Sequence, residues 1–211
     1  MSEVSADQRH DHDTSQGRSD QDGGMQTKMY LRFAAMILTA MVVMYFTMFA
    51  GSWEWSHVRF SQSRVFMAIT MGGTMGLVML AWMLNMYRSA ARNWIIVGVS
   101  IVLLAGGITL DRTQATVGDT AFMQAMIPHH SLAITRSERF GVTDIRVCEL
   151  AVEISEAQRR EIDEMDWLIA DIEENGLATT REEAQNRPVP DFPAEADLDC
   201  DELSATAAAG S

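Results

Sequence analysis

Residues 119–134 read DTAFMQAMIPHHSLAI, with Met123, Met126, His129 and His130 inside eight positions and Pro128 directly before the histidine pair. Asp119 is placed to cap a helix and Gly141 to end one, so the stretch opens a helix that runs to about Phe140. Pro128 sits inside it. Proline lacks the N–H that would bond the Gln124 carbonyl, so a kink is expected there. A second helix follows, from Thr143 or Asp144 to Glu174, with Asn175-Gly176 as its stop. Its seam of Ala151, Ile154, Gln158, Glu161 or Ile162, Met165, Leu168 and Ile172 keeps a 3-4 alternation over several turns. That spacing marks a helix packed along one face.

Two antiparallel helices joined at Phe140–Asp144 bring positions equally far from the loop to the same height. His129 and His130 then meet the region of Glu156–Gln158, where the seam turns polar at Gln158 and Glu161. Met126 lies one turn from the histidines, Met123 one turn further, and Met165 one turn beyond Glu161. Imidazole and thioether ligands together suit copper, Cu(I) above all, better than magnesium or calcium. The candidate metal ligands are therefore His129, His130, Met126, Met123, Met165 and Glu161. Adjacent helical residues point about 100° apart, so the two histidines converge only if the kink turns them. A polar pair within the seam, with the methionines as core, accounts for the same spacing, and both readings stay open. A two-helix hairpin leaves one face of each helix uncovered, so dimerisation into a four-helix bundle is expected.

Three apolar runs precede the hairpin, roughly Met29–Ala50, Val65–Met86 and Trp94–Leu110. At 1.5 Å per residue each is long enough, or nearly so, to cross a hydrocarbon core about 30 Å thick. Arg32 is the charge inside a run, close enough to its end to reach the headgroups. Tyr30, Trp53, Trp55, Tyr87 and Trp94 fall near the run ends, where interfacial aromatics belong. Arg18, Lys28, Arg32, Arg88 and Arg92 lie on one side, and Arg59, Arg64 and Arg112 on the other. The excess favours a cytoplasmic N-terminus, which puts everything after the third span outside the cytoplasm, in the periplasm of a Gram-negative cell. Methionines at 67, 71, 75, 79 and 83 form a ridge in the second run. They serve either as flexible packing or as soft ligands along a copper conduit. Gly72 and Gly76 form a GxxxG that suits close helix approach.

The chain thus divides into a polar leader (1–28), a three-span membrane domain (29–110), a helical hairpin (113–180) and an acidic tail (181–211), all-α in class. Leader and tail have the composition of disordered segments. Net charge is −13 and no basic face is available, which excludes a nucleic-acid partner. Cys148 and Cys200 make neither a disulfide framework nor a zinc spacing, so a single pairing and two free thiols are both open. Glu54 and His57 form a lone ExxH, whereas di-iron helical proteins need two such pairs. No P-loop, HExxH or CxxC is present, and no enzymatic activity is expected.

The pattern Asp119, Phe122-Met123, Met126-Ile127-Pro128-His129-His130 and Ala133-Ile134 is followed by Arg146, Ala151, Ile154, Gln158, Glu161-Ile162, Met165 and Leu168. Together these residues resemble the domain of unknown function 305 family, and the three spans resemble its membrane-anchored branch. The resemblance implies a ferritin-like helical architecture and copper or silver binding through His and Met, carried over to His129, His130, Met126, Met123 and Met165. One position departs from the family pattern: Arg136 stands where many soluble members have a methionine, which removes a soft ligand and adds a positive charge. The expected function is a multi-pass protein of the bacterial inner membrane that presents a copper-binding domain outside the cytoplasm for sequestration or tolerance. It would work as a homo-oligomer with a metal ion and the lipid bilayer as its partners. A structural oligomerisation module and a methionine-lined copper transporter are the alternatives.

Overall fold

The computed structural model describes residues 4–201, with side chains from Gly24 onward. Among the described residues every regular element is helical: α1 (Val4–Thr47), α2 (Gln62–Trp82), α3 (Ala90–Thr113), α4 (Asp119–Glu138), α5 (Ile145–Asn175) and α6 (Arg181–Asn186), with a short 3-10 turn at Trp55–His57. The stretch Gly24–Thr47 of α1, together with α2 and α3, supplies three helices long and apolar enough to cross a membrane. Of the leader, Met1–Glu3 lies outside the described residues, as do the side chains up to Gly23.

The chain forms two compact units. One holds the chain up to Met44 with Phe66–Arg112; the other holds Tyr45–Val65 with everything after Arg112. In the first unit, small residues set the helix spacing. A Cβ on Gly73 would stand 2.6 Å from the Leu104 nitrogen and the Ser100 carbonyl oxygen of α3. Only glycine allows that approach of two backbones. The two glycines of the GxxxG meet side chains of different helices, Gly72 that of Met41 in α1 and Gly76 that of Ser100 in α3, while the close backbone approach falls to Gly73. Phe33, Leu80 and Tyr87 form the buried centre, with Met79 and Met83 packed against it. Tyr30 donates to Asn93 Oδ1 at 2.7 Å, which ties α1 to the start of α3. Met67 and Met71 are exposed, so the methionine ridge passes from the outer surface of this unit into its packing.

The second unit contains the hairpin. α5 ends where its capping residues placed it, whereas in α4 Asp119 is the first helical residue behind Gly118 as N-cap, and the helix ends at Glu138 with Arg139 as C-cap, before Gly141. Asp144 caps α5, its carboxylate accepting from the Arg146 N–H at 2.9 Å. Gly176, at φ 78°, ends it while donating to the Ile172 carbonyl at 2.9 Å. α4 continues through Pro128 without a break, and the proline ring is buried. The core between the helices is Met123, Ile127 and Ile134 from α4 against Ile162, Met165 and Ile169 from α5.

The seam of α5 departs from expectation at one position. Ile154 is 38% exposed, and Ser155 beside it is fully buried. Ser155 carries the inward position because its hydroxyl donates to Glu138, whose side chain is only 2% exposed. Arg159 completes that site, with Nη2 at 2.9 and 3.0 Å from the two carboxylate oxygens.

Two segments cover part of the hairpin face that was expected to be bare. The loop between the first two spans brings Trp53 onto the core. The tail carries more structure than its composition suggests. Thr180 and Glu183 form a reciprocal capping box that starts α6. Arg187 binds Asp171 at 2.6 Å, and Cys200 is disulfide-bonded to Cys148. Charge and proline content favour disorder only while no partner fixes the segment; here a covalent bond and ion pairs do so.

Candidate functional site

α4 places its two histidines differently. His129 is exposed, whereas the His130 side chain is 12% exposed and turned towards α5. The 100° step between neighbours therefore persists, and the buried proline does not bring both rings to one point. Their ring centroids are 6.0 Å apart and inclined by 60°. His130 Nδ1 lies 3.1 Å from Glu161 Oε2. The alignment is not that of a hydrogen bond, and Nδ1 is a buried nitrogen with no hydrogen-bond partner. Glu161 instead accepts from Gln158 Nε2 at 3.4 Å. Burial pushes the His130 pKa below its ordinary value; the nearby Glu161 carboxylate opposes the shift and His129 adds slightly to it. Burial thus disfavours the charged ring, and Nδ1 makes no hydrogen bond inside the fold.

The methionines divide by depth. Met123 and Met165 are buried in the hairpin core, and Met126 packs at its edge. Met123, Met126 and His130 are spaced 3 and 4 apart, which puts them on one side of α4. Glu161 and Met165 are likewise four apart on α5. The structure therefore brings together five of the six candidate ligands, Met123, Met126, His130, Glu161 and Met165, along one interface, and it leaves His129 out. Among the described residues no three His, Cys, Asp or Glu side chains converge as a metal cluster. A soft site here would depend on thioether sulfur. Arg136 is exposed in the last turn of α4.

Sequence reasoning gave no role to the residues that join the first loop to α4. Ser131, next to His130, is fully buried. Its hydroxyl accepts from the Trp53 N–H at 2.7 Å and lies 2.9 Å from His57 Nδ1. The hydroxyl can donate to or accept from that ring nitrogen according to the tautomer, and the other ring nitrogen, Nε2, points to the loop's own carboxylate. That nitrogen is 4.0 Å from Glu54 Oε2. The order Glu–His–Ser resembles a nucleophile relay, but the serine oxygen is enclosed and already accepts a backbone N–H. It fastens the loop to the helix. Arg64 adds a second fastening, with Nη2 donating to the Pro128 carbonyl at 3.3 Å and the guanidinium 3.9 Å over the Phe49 ring. Arg59 binds Asp166 at 3.0 Å. The hint in the sequence was the ExxH of Glu54 and His57. Beside this loop is a polar cavity of about 320 Å³ whose lining includes Glu54, His57, Arg159, Asp163 and Glu195.

Residues 119–208 match the family described as Domain of unknown function (DUF305). "Uncharacterized protein L153" of Acanthamoeba polyphaga mimivirus is 32% identical over 104 residues, covering 45% of this chain and 67% of the viral protein. The chain belongs to the DUF305 family. No solved structure matches it. The DUF305 match begins at the first residue of α4 and continues past Cys200, so the histidine pair, the seam of α5 and the disulfide all fall within it. Trp53, His57 and Arg64 lie outside the matched stretch. The DUF305 hairpin of this chain is therefore completed by the loop that joins its first two apolar helices, which lies in the same compact unit.

Proposed function

We propose that this protein is a membrane-anchored, extracytoplasmic metal-binding protein, with Cu(I) as its ion and sequestration or tolerance as its role. The observation that carries the reading is the buried Nδ1 of His130, which makes no hydrogen bond, lies 3.1 Å from Glu161 Oε2 and shares its face of α4 with Met126. A neutral imidazole with a vacant position is a ligand, and thioether neighbours select a soft ion. The donor set fits copper: His130 and Met126 would hold the ion, with Met123, Met165 and Glu161 as further donors. His129 is left out of this set because it is exposed. Bound there, the ion would be kept from water and from other ligands; no reaction step is assigned to it.

Two observations support placement outside the cytoplasm of a bacterial inner membrane. A disulfide persists in an oxidising compartment, and Cys148–Cys200 is one. The arginine asymmetry of the loops gives the same orientation. An exposed apolar stripe on α5, Val147, Leu150 and Ile154, supports a second copy as partner. The transporter reading has less support, because Met67 and Met71 are exposed while Met79 and Met83 pack against Phe33, Leu80 and Tyr87. The test is a Cu(I) titration of the full chain in detergent micelles against a competing chelator. Affinity should fall in His130→Ala and Met126→Leu and stay unchanged in His129→Ala. Equal affinity in wild type and His130→Ala overturns the proposal.

A further inference from the structure

We infer that residues 188–199 are a strap latched by the Cys148–Cys200 disulfide, and that reducing this bond frees the strap and uncovers His57. Pro193, Ala194 and Glu195 form one wall of the polar cavity, facing Glu54, His57, Ile162 and Asp163. The stretch 188–199 contains no helix or strand of its own and includes Pro188, Pro190 and Pro193. It is anchored at its two ends and at Asp197 between them. At the near end, Arg187 donates to Asp171 at 2.6 Å and to the Gly176 carbonyl at 3.2 Å. In between, Asp197 accepts from Arg159 at 3.1 Å, from the same guanidinium that is already committed to Glu138. At the far end the anchor is covalent, joining positions 52 residues apart.

The anchors differ in strength. The Asp197 carboxylate is 67% exposed, and an exposed ion pair contributes little on its own. Without the disulfide, the far half of the strap loses its covalent anchor, and the Asp197–Arg159 pair that remains is exposed. Loss of the tether restores chain entropy to a segment with no ladder or helix of its own. The core of Met123, Ile127, Ile134, Ile162 and Ile169 uses no residue of the strap, so the hairpin is expected to survive release.

The two sulfurs are also unequal. Cys148 is fully buried and Cys200 is half-buried, so an incoming thiolate reaches Cys200 Sγ first. A dithiol reductant attacks there, the S–S bond breaks, and Cys148 leaves as thiolate and takes up a proton. The second thiol of the reductant then resolves the mixed disulfide, releasing Cys200 as a thiol. Two electrons and two protons pass to the protein, and the reductant departs as its own disulfide.

The experiment uses the full chain in detergent micelles, with and without dithiothreitol. Hydrogen exchange is followed over 188–199, α4 and α5, and acylation of His57 by diethyl pyrocarbonate is mapped by peptide mass spectrometry. The exposed His129 serves as internal reference. On reduction, exchange in 188–199 should rise about tenfold or more and His57 acylation several-fold, with α4, α5 and His129 unchanged. Reoxidation should restore both, and Cys200→Ser should show the released state without reductant. Unchanged exchange in 188–199 would overturn the inference. So would parallel loss of protection in α4 and α5, which would make the disulfide a staple of the whole hairpin.

Discussion

Glu138 is the most demanding polar group in the extramembrane unit, and replacing Arg159 by alanine isolates its energetics. The Glu138 carboxylate is almost fully enclosed. Arg159 meets both of its oxygens, Ser155 adds a hydroxyl, and the guanidinium stacks 5.1 Å over Trp53. Arg159→Ala removes the counter-charge and leaves the carboxylate enclosed with one neutral donor. Breaking a buried pair in this way costs about 3–5 kcal/mol, because the remaining charge keeps its desolvation penalty without its compensation. The double variant Glu138→Leu/Arg159→Met should recover most of the loss, since an apolar pair of similar volume is often neutral relative to the ion pair. Pulse proteolysis of the full chain across a urea series reads the effect. With a urea dependence of about 1–3 kcal/mol per molar, the Arg159→Ala midpoint should fall by roughly 2 M. A shift below about 0.3 M, or a double variant as unstable as the single one, would show that the pair is not a buried charge site.

Further predictions concern the loop, the spans and the histidine. Trp53→Ala should cost about 2–3 kcal/mol, less than a fully buried aromatic because Trp53 is half-buried, and should show as a lower urea midpoint in the same assay. An unchanged midpoint would detach the first loop from the hairpin core. Gly73→Val should disrupt the α2–α3 approach, since even its Cβ meets backbone at 2.6 Å; detergent-resistant folding should fall well below that of Gly98→Val, where nothing lies within 4 Å of the added Cβ. His130 should titrate below 6.5 when its ring protons are followed by NMR. Its folded pKa is lowered, so the unfolded chain binds more protons between the folded value and 6.5. Stability should therefore decline as pH falls through that window, level off below it, and be insensitive to this group above it. His130→Gln should remove that slope, and a slope unchanged in the variant would assign it to another group.

Much of the fold is legible in the sequence because it rests on local chemistry. Asp144 and Gly176 bound α5 by capping, and the apolar runs mark the three long helices by length. Counting outward from the Phe140–Asp144 loop puts His130 opposite Glu156–Gln158, and the contact found is with Glu161, about one turn further along the polar seam. What escapes is whatever depends on distant segments. Ser155 and Ser131 look like surface serines until Glu138 and Trp53 are brought to them, 17 and 78 positions away. Cys148 and Cys200 have no spacing rule that pairs them, because the intervening chain reverses at Gly176 before returning. His129 and His130 part as the 100° step between helical neighbours requires, but which of the two turns inward is set by the packing of α5.

The proposed role of His130 is tested most directly by X-ray absorption at the copper edge of the full chain loaded with one equivalent of Cu(I). The expected spectrum shows one imidazole shell together with sulfur scatterers, and it loses the imidazole shell in His130→Ala while His129→Ala leaves it intact. A copper centre with two imidazoles and no sulfur, or one that is identical in wild type and His130→Ala, would contradict the assignment of His130 and its methionine neighbours as the metal site.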